Sequence, residues 1–539
     1  MHLPAQTDYD ALRRAFHWRI PARYNIAVDI CDRWALAEPE RPAIIEVSQG
    51  WAATAVSFGA LRAESNRLAN ALRARGVDRG DRIAILLPQG RAVLSAHLAA
   101  YKLGAIAVPL AALFGVDALA YRLSDAGAKA LITDAAGLAK TRQIAEPLPE
   151  LALTISVDGA DQAAQDWHAL LAQASPDFTP VDTAPDDPAL MIYTSGTTGN
   201  PKGALHGHRV LPGHLPGVQF PHEFLPQPGD LAWTPADWAW AGGLLNMLLP
   251  ALHFGVAVVA RPVTRFEPEE AYRLMADLRI RNAFVPPTAL RMLRSIDRPR
   301  DRFDLRLRTV AAAGEALGAE TLAWGREALG LTINEAYGQT ECNLVLASCA
   351  AIGVSRPGCI GKAVPGHAVA IIRADGSLCA PGEEGQIAVR RPDPVMFLGY
   401  WRRPEATAEK FIGDWMTTGD QGVQDEDGYV RFIGRDDDVI TSSGYRIGPG
   451  EIEDSLLKHE AVSLAAVVGK PDPLRTEIVK AFVVLKPGRQ ASQALAEELQ
   501  AFVRRRLSAH EYPREIAFCD ELPMTTTGKI IRRVLRERG

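Results

Sequence analysis

The sequence predicts an α/β protein. A large N-terminal domain of layered, mostly parallel sheets with helices carries a β-rich subdomain and is followed by a small α+β domain. Three observations predict this. Segments with helical spacing alternate with short β-rich runs through most of the chain; the composition changes near residue 375; and after residue 438 a compact unit begins with a pattern of its own. Alternation of the first kind is what parallel sheets connected by helices produce.

In chain order, SFGALRAESNRLANALRARG (57–76) spaces its apolar residues at helical intervals and stops at Gly76. DRIAILLP (81–88) reads as a buried strand, RAVLSAHLAAYKLG as a helix and AIAVPL as the next strand. Further strand-like runs are KALITD (129–134), GVAVVA (255–260), NAFVPP (282–287) and RTVAAAGE (308–315). From 375 to 434 the segments shorten, gain Gly and Asp, and suggest antiparallel β. Beyond a hinge placed at 435–438, residues 439–539 form the small domain: EIEDSLLKH helical, SLAAVVG and KAFVVLK extended, ASQALAEELQAFVRRRLSAH helical and REIAFC extended. About 100 residues suffice for a core that moves as one body.

Composition excludes several functions. With 539 residues, 47% hydrophobic and 23% charged, the chain can bury large cores, and its formal charge of −5 offers no nucleic-acid track. Arg504, Arg505 and Arg506 read as a solvated helix face. The six cysteines form no C-x-x-C pair, so neither a disulfide framework nor a zinc site is indicated. No secretory h-region opens the sequence, and the most apolar stretch, Leu244 to Ala260, is interrupted by Asn246, Pro250 and His253. A membrane span needs about 20 apolar residues, so none is expected, and the chain is expected in the cytoplasm.

The most informative stretch is YTSGTTGNPKG, residues 193–203, which follows the strand-like ALMIY. Hydroxyl residues and glycines let backbone N–H and side-chain O–H groups approach an anion, and Lys202 adds positive charge. It is not a Walker A loop, because Gly203 follows Lys202. Composition alone leaves a flexible glycine-rich connector as an equal alternative.

This stretch resembles the phosphate loop of the adenylate-forming (AMP-binding) superfamily. GEAL (314–317), NEAYGQTE (334–341), TTGD (417–420), GYVRFIGRDDDVI (428–440), SSGYRIGPGEIE (442–453) and TTTGKIIRR (525–533) follow in the matching order. Similarity runs from NIAVDICDRWA (25–35) to the C-terminus and is nearest to medium-chain acyl-CoA synthetases. The resemblance implies an ATP- and Mg²⁺-dependent ligase that makes an acyl-adenylate, releases pyrophosphate and passes the acyl group to coenzyme A.

It also implies roles. Thr194, Ser195, Gly196, Thr197, Thr198, Gly199 and Lys202 would bind the phosphates; Gly314, Glu315 and Ala316 with Glu335, Ala336, Tyr337, Gly338 and Gln339 would surround the adenine. Thr340 would contact the phosphate of ATP or acyl-AMP and Glu341 the Mg²⁺, Asp420 would accept from both ribose hydroxyls, Arg435 would contact the nucleotide, and Arg446 the phosphates or the CoA side. Lys529 would reach into the site during adenylation, with Lys202, Thr340 and Glu341 completing the catalytic set. The small domain would then rotate about Asp437, so that Ser443, Gly444 and Tyr445 line the CoA channel with Arg475 near the CoA nucleotide. The segment around Lys529 also resembles one that is reversibly acylated, which implies a lysine acyltransferase and deacylase as partners.

For the acid, PADWAWAGGLLN (235–246) would supply a pocket wall with Trp238 and Trp240, either of which could equally be core. Gly338 stands where acetyl-CoA synthetases carry a tryptophan, so the resemblance implies acids larger than acetate: medium-chain, short branched or small aromatic. Rival functions are an acetyl- or propionyl-CoA synthetase, a stand-alone adenylation enzyme for amino or aryl acids, a luciferase-like oxygenase and a non-catalytic nucleotide-binding module. The chain ends ten residues after Lys529, without room for a carrier domain, and lacks a peroxisomal SKL ending.

Overall fold

The computed structural model describes residues 2–538 except 162, 195–199, 263–264, 436–437, 443–444, 473–474, 508–511 and 526–529. Two large sheets dominate. The first runs Lys362–Ala363, Asn343–Ala347, Asn334–Gln339, Thr309–Ala312, Asn282–Phe284, Ala232–Trp233, Val258–Ala260, Pro42–Val47, Ala53–Ser57, and its six central strands are parallel. The second runs Gly399–Tyr400, Lys202–Gly207, Pro188–Thr194, Ile106–Pro109, Arg82–Leu86, Ala130–Thr133, Leu153–Ser156, Gln165–Asp166; it is parallel from Pro188 onward and antiparallel before it. The predicted strands of residues 81–134 and 255–315 lie inside these two sheets.

Alternate residues of each strand enter different cores, because successive side chains point to opposite faces. Ile83 and Ile85 join the main core, which also holds Ile44 and Val258 of the other sheet and Leu61, Leu68, Leu94 and Leu98 of two helices. Ala84 and Leu86 face the opposite way, against Leu119 and Leu123. The helices Phe58–Arg73 and Arg91–Leu103 therefore form a filled layer between the sheets. The first begins at Ser57, whose hydroxyl accepts from Ala60 N–H, a common N-cap arrangement. It ends at Arg73, three residues short of Gly76. The apolar stretch 244–260 is folded into this interior as a π-helical turn (Leu244–Leu248), a short helix (Leu249–His253) and a strand (Val258–Ala260). No helix among the described residues is long and apolar enough to cross a membrane.

The β-rich part is an antiparallel sheet ordered Val369–Ile372, Glu384–Arg390, Trp415–Gln424, Phe411–Ile412, with Val430–Arg435 also pairing against Trp415–Gln424. The small C-terminal unit has its own core, in which Ile452 and Leu456 of the helix Pro449–Leu457 meet Val467, Val479, Leu499 and Val503. Its long hairpin pairs Val462–Asp472 with Thr476–Leu485. Helix Gln493–Arg506 covers this sheet, and Glu515–Phe518 adds a parallel strand.

One charged group lies inside the helical layer. Lys102 is fully buried, and its Nζ meets Asp32 Oδ1 at 2.7 Å, Asn66 Oδ1 at 2.7 Å and Ser65 Oγ at 2.9 Å. Breaking a buried ion pair from one side costs about 3–5 kcal/mol, because the other charge stays dehydrated. Asp32→Ala is expected to lower the unfolding free energy by about that amount in urea titration, and adding Lys102→Met should recover most of it.

Candidate active site

The site forms where three sheets meet. Strand Pro188–Thr194 and the returning strand Lys202–Gly207 pair so that Thr194 faces Lys202 across the base of the phosphate loop. Thr194 Oγ1 donates to Lys202 O at 3.4 Å. Both loop ends are held: Tyr193 donates its hydroxyl to Asp125 at 2.8 Å, and Tyr121 donates to Pro201 O at 2.9 Å. Arg403 closes the Asp125 side at 2.6 Å. Ser195, Gly196, Thr197, Thr198 and Gly199 lie outside the described residues, as do Asp437, Ser443, Gly444 and Lys529.

Strand Asn334–Gln339 turns at Thr340 and Glu341 and returns as Asn343–Ala347. This turn brings Glu341 to a nearly buried position, 7% exposed. Its backbone carbonyl accepts from Phe397 N–H at 2.8 Å, and its carboxylate accepts from the Tyr400 hydroxyl at 2.5 Å. Tyr400 also lies under Lys202, whose Nζ is 5.2 Å from the ring centre. The motifs that carry Lys202 and Glu341 are therefore joined through a residue that the motif pattern does not mark.

Asp420, in strand Trp415–Gln424, is 4% exposed. Its Oδ2 accepts from Tyr337 at 2.6 Å and Gln339 Nε2 at 2.7 Å, and Arg435 lies 3.6 Å from Oδ1 on the paired strand. Burial pushes its pKa up, while the Arg435 charge and the Tyr337 and Gln339 bonds hold the charged form. The same pairing drives the Tyr337 phenol well above its ordinary value, through burial first and then the Asp420 charge. Tyr337, Gln339, Asp420 and Arg435 thus stand together as one network.

Gly314 and Ala316 are exposed and flank a half-buried Glu315. Glu315 is engaged by protein groups, accepting from Thr288 Oγ1 at 2.9 Å and from Arg291 Nη2 at 2.6 Å. Ala336 is buried opposite Ala347. Glu335 accepts from Leu317 N–H at 3.2 Å. Arg446 and Tyr445 sit in the short strand Tyr445–Ile447, opposite Thr441 and Ser442, while Arg475 N–H donates to Asp472 at the hairpin turn at 2.9 Å.

Two expectations about the acid change. A side chain on Gly338 would start 1.4 Å from the Asn343 backbone carbonyl. The space beside Gly338 is therefore filled rather than open, and the glycine is required for this close approach. Asn343 adopts φ +50° to make the turn. It is 3% exposed, and neither side-chain amide atom has a partner among the described residues. Trp238 is 1% exposed and belongs to the main core, not to an open wall. Trp240 is half-buried and meets Phe114 edge-on at 5.5 Å, which leaves it as the tryptophan of that segment with an accessible face.

Among the described residues, no cluster of three or more His, Cys, Asp or Glu could cage a metal. Glu341 offers a different donor set. Tyr400 supplies the one hydrogen bond to its carboxylate among the described residues, leaving Oε2 as an acceptor. One carboxylate plus nucleotide phosphate oxygens is how Mg²⁺ is usually held, so these residues fit that ion.

Comparison with known proteins covers nearly the whole chain. Residues 31–401 match the family described as AMP-binding enzyme, and residues 451–529 match the AMP-binding enzyme C-terminal domain. The chain is 34% identical to the acetyl-coenzyme A synthetase of Bacillus subtilis, over 98% of this chain and 94% of that one. It is also 34% identical to the human mitochondrial acyl-coenzyme A synthetase ACSM2B, over 97% and 92%. The crystal structure of the anthranilate CoA ligase AuaEII in complex with anthranoyl-AMP superposes with a TM-score of 0.89 at 28% identity, covering 96% of this chain and 98% of that one.

Glu335 gives the site a pH signature. Burial, helped by the nearby Asp454 charge, raises its pKa to about 7, against the bond from Leu317. The folded protein keeps this proton to about pH 7, whereas the unfolded chain releases it near the ordinary glutamate value of 4.5. The stability it contributes is therefore complete in acid and is lost as pH rises through about 7. Glu335→Gln keeps the acceptor for Leu317 and removes the titration, so its melting temperature relative to the parent should climb between pH 5 and pH 8.

Proposed function

From the premise that the chain belongs to the AMP-binding enzymes and is an AMP-forming acyl-CoA ligase, we propose that it activates a carboxylic acid larger than acetate: medium-chain, short branched or small aromatic. The observation that carries the site reading is the convergence of Lys202, Glu341, Asp420 and Arg435 from separate sheets onto one place. A nucleotide lying there would have its ribose hydroxyls toward Asp420 and its phosphates toward Lys202 and the 195–199 loop. The substrate carboxylate oxygen attacks the α-phosphorus, pyrophosphate leaves, and the CoA thiolate then displaces AMP from the acyl carbonyl.

Each residue has a task in this sequence. Lys202 and Thr340 face the phosphates, and Glu341 holds the cation that accompanies them. When bound, Mg²⁺ neutralises phosphate charge and keeps the leaving group aligned. Lys529, on the small domain, would supply positive charge where negative charge develops during adenylation, and it is the residue at which an acyltransferase and a deacylase would regulate the enzyme. Rotation about Asp437 would then bring Ser443, Gly444, Tyr445, Arg446 and Arg475 toward CoA.

Support for the larger acid comes from the half-buried Trp240, whose ring meets Phe114 edge-on. Similarity to a ligase solved with anthranoyl-AMP, at 28% identity, accords with an aromatic acid, whereas 34% identity to an acetyl-coenzyme A synthetase favours the rival small acid. A panel of acetate, isobutyrate, hexanoate, octanoate and benzoate decides between them. With ATP, Mg²⁺ and CoA, acyl-CoA should form at least about tenfold faster from one of the larger acids, since a few methylenes separate substrates by ~1–3 kcal/mol each. A preference for acetate would overturn the size assignment, and pyrophosphate release with amino acids but no thioester would overturn CoA as acceptor. Lys529→Ala should slow pyrophosphate release ~10²–10³-fold, the loss typical of one donor to developing charge, while thioester formation from supplied acyl-adenylate persists.

A further inference from the structure

The Glu341 carboxylate is nearly buried and takes its one hydrogen bond among the described residues from Tyr400. Tyr400 is itself fixed from several directions. It pairs with Ala204 across the strand that begins at Lys202, its N–H donates to Thr407 Oγ1 at 2.8 Å, and its ring meets Phe397 edge-on at 5.0 Å. Phe397 in turn donates its N–H to the Glu341 carbonyl at 2.8 Å. The segment 397–401 therefore grips the Glu341 backbone, the Glu341 side chain and the strand carrying Lys202 at once.

Packing alone does not require the hydroxyl. Tyr400 lies partly buried against a small apolar core that includes Phe397, and a phenylalanine would fill that place equally well. The phenol hydroxyl is the donor in this pair, since the carboxylate oxygen it faces accepts. A buried carboxylate with only one fixed oxygen has a defined open direction. A carboxylate without that donor could rotate and would be poorly preorganised for a cation.

We propose that Tyr400 is a positioning residue for the nucleotide-bound cation: its hydroxyl orients Glu341 toward Mg²⁺, and its ring seats the Lys202 ammonium beside the same phosphates. This rests on the reading of Glu341 as the cation ligand given above.

Equilibrium ATP binding across a Mg²⁺ titration, without acid or CoA, tests it by a readout other than turnover. Tyr400→Phe is expected to raise the Mg²⁺ concentration for half-maximal ATP binding about tenfold, as loss of a hydrogen bond behind a metal ligand commonly does. Its melting temperature and its Mg²⁺-free ATP affinity should match the parent. Tyr400→Leu, which also removes the ring, should weaken Mg²⁺-free ATP binding a further ~3-fold through loss of the Lys202 contact. Combined with Glu341→Gln, Tyr400→Phe should add nothing to the Mg²⁺ requirement. If Glu341→Gln shifts the Mg²⁺ curve but Tyr400→Phe does not, or if the two effects add in full, the positioning role is overturned while the ligand assignment stands. If Glu341→Gln leaves the curve unchanged, the ligand assignment itself fails and the inference with it.

Discussion

Two nearly buried carboxylates, Glu341 and Asp420, set the terms on which the rest of the site is built. A carboxylate removed from water needs partners that replace its hydration. The fold meets that need with groups from different layers: Tyr400 on the edge strand of one large sheet, Tyr337 and Gln339 on an inner strand of the other, and Arg435 in the antiparallel sheet. The sheets must therefore arrive at one place in a fixed register. Alternation of residues between the inner layer and the outer faces fixes that register, because sliding a strand by one residue would exchange its two faces. Burial of apolar surface between the sheets thus serves chemistry at their rim.

The same constraint explains what could be read from the sequence. A phosphate loop is a local device: successive residues present their own N–H and O–H groups, so YTSGTTGNPKG reveals itself as a string. Helices and buried strands are also local, and Ser57 or DRIAILLP mark their places by composition and period. The alternation of elements accordingly gives layered, mostly parallel sheets with helices, as found.

Contacts made across distance were not legible. Tyr400 joins Glu341 over 59 residues of sequence, and nothing in a glycine–tyrosine pair announces that partner. Gly338 shows the reverse failure. Its small size suggested an open pocket, but the reason for it is the Asn343 carbonyl pressed against it, a product of how one turn folds. Trp238 and Trp240 stand two residues apart with opposite surroundings, one sealed in the core and one facing Phe114. Sequence alone gave no reason to separate them, because the π-helical turn that follows has no signature in the spacing of apolar residues.

The small domain extends the argument to motion. Lys529 is followed by the helix Arg532–Glu537, and Arg532 is held by both Glu453 oxygens at 2.8 Å. Arg532 also lies 3.5 Å from Asp438, beside the expected hinge, and Arg536 binds the same carboxylate. The segment after Lys529 is thereby tied to the helix Pro449–Leu457 and to the residue next to the pivot. These ion pairs fix the helix Arg532–Glu537 against the helix Pro449–Leu457. The contact this domain makes with the large one at the helix is tight but not apolar: the Asp454 carboxylate lies 2.8 Å from where a side chain on Gly318 would begin, and burial lifts its pKa to about 6. The small domain thus keeps its geometry through ion pairs of its own, and it meets the large domain at Gly318 through a carboxylate whose proton affinity burial has raised.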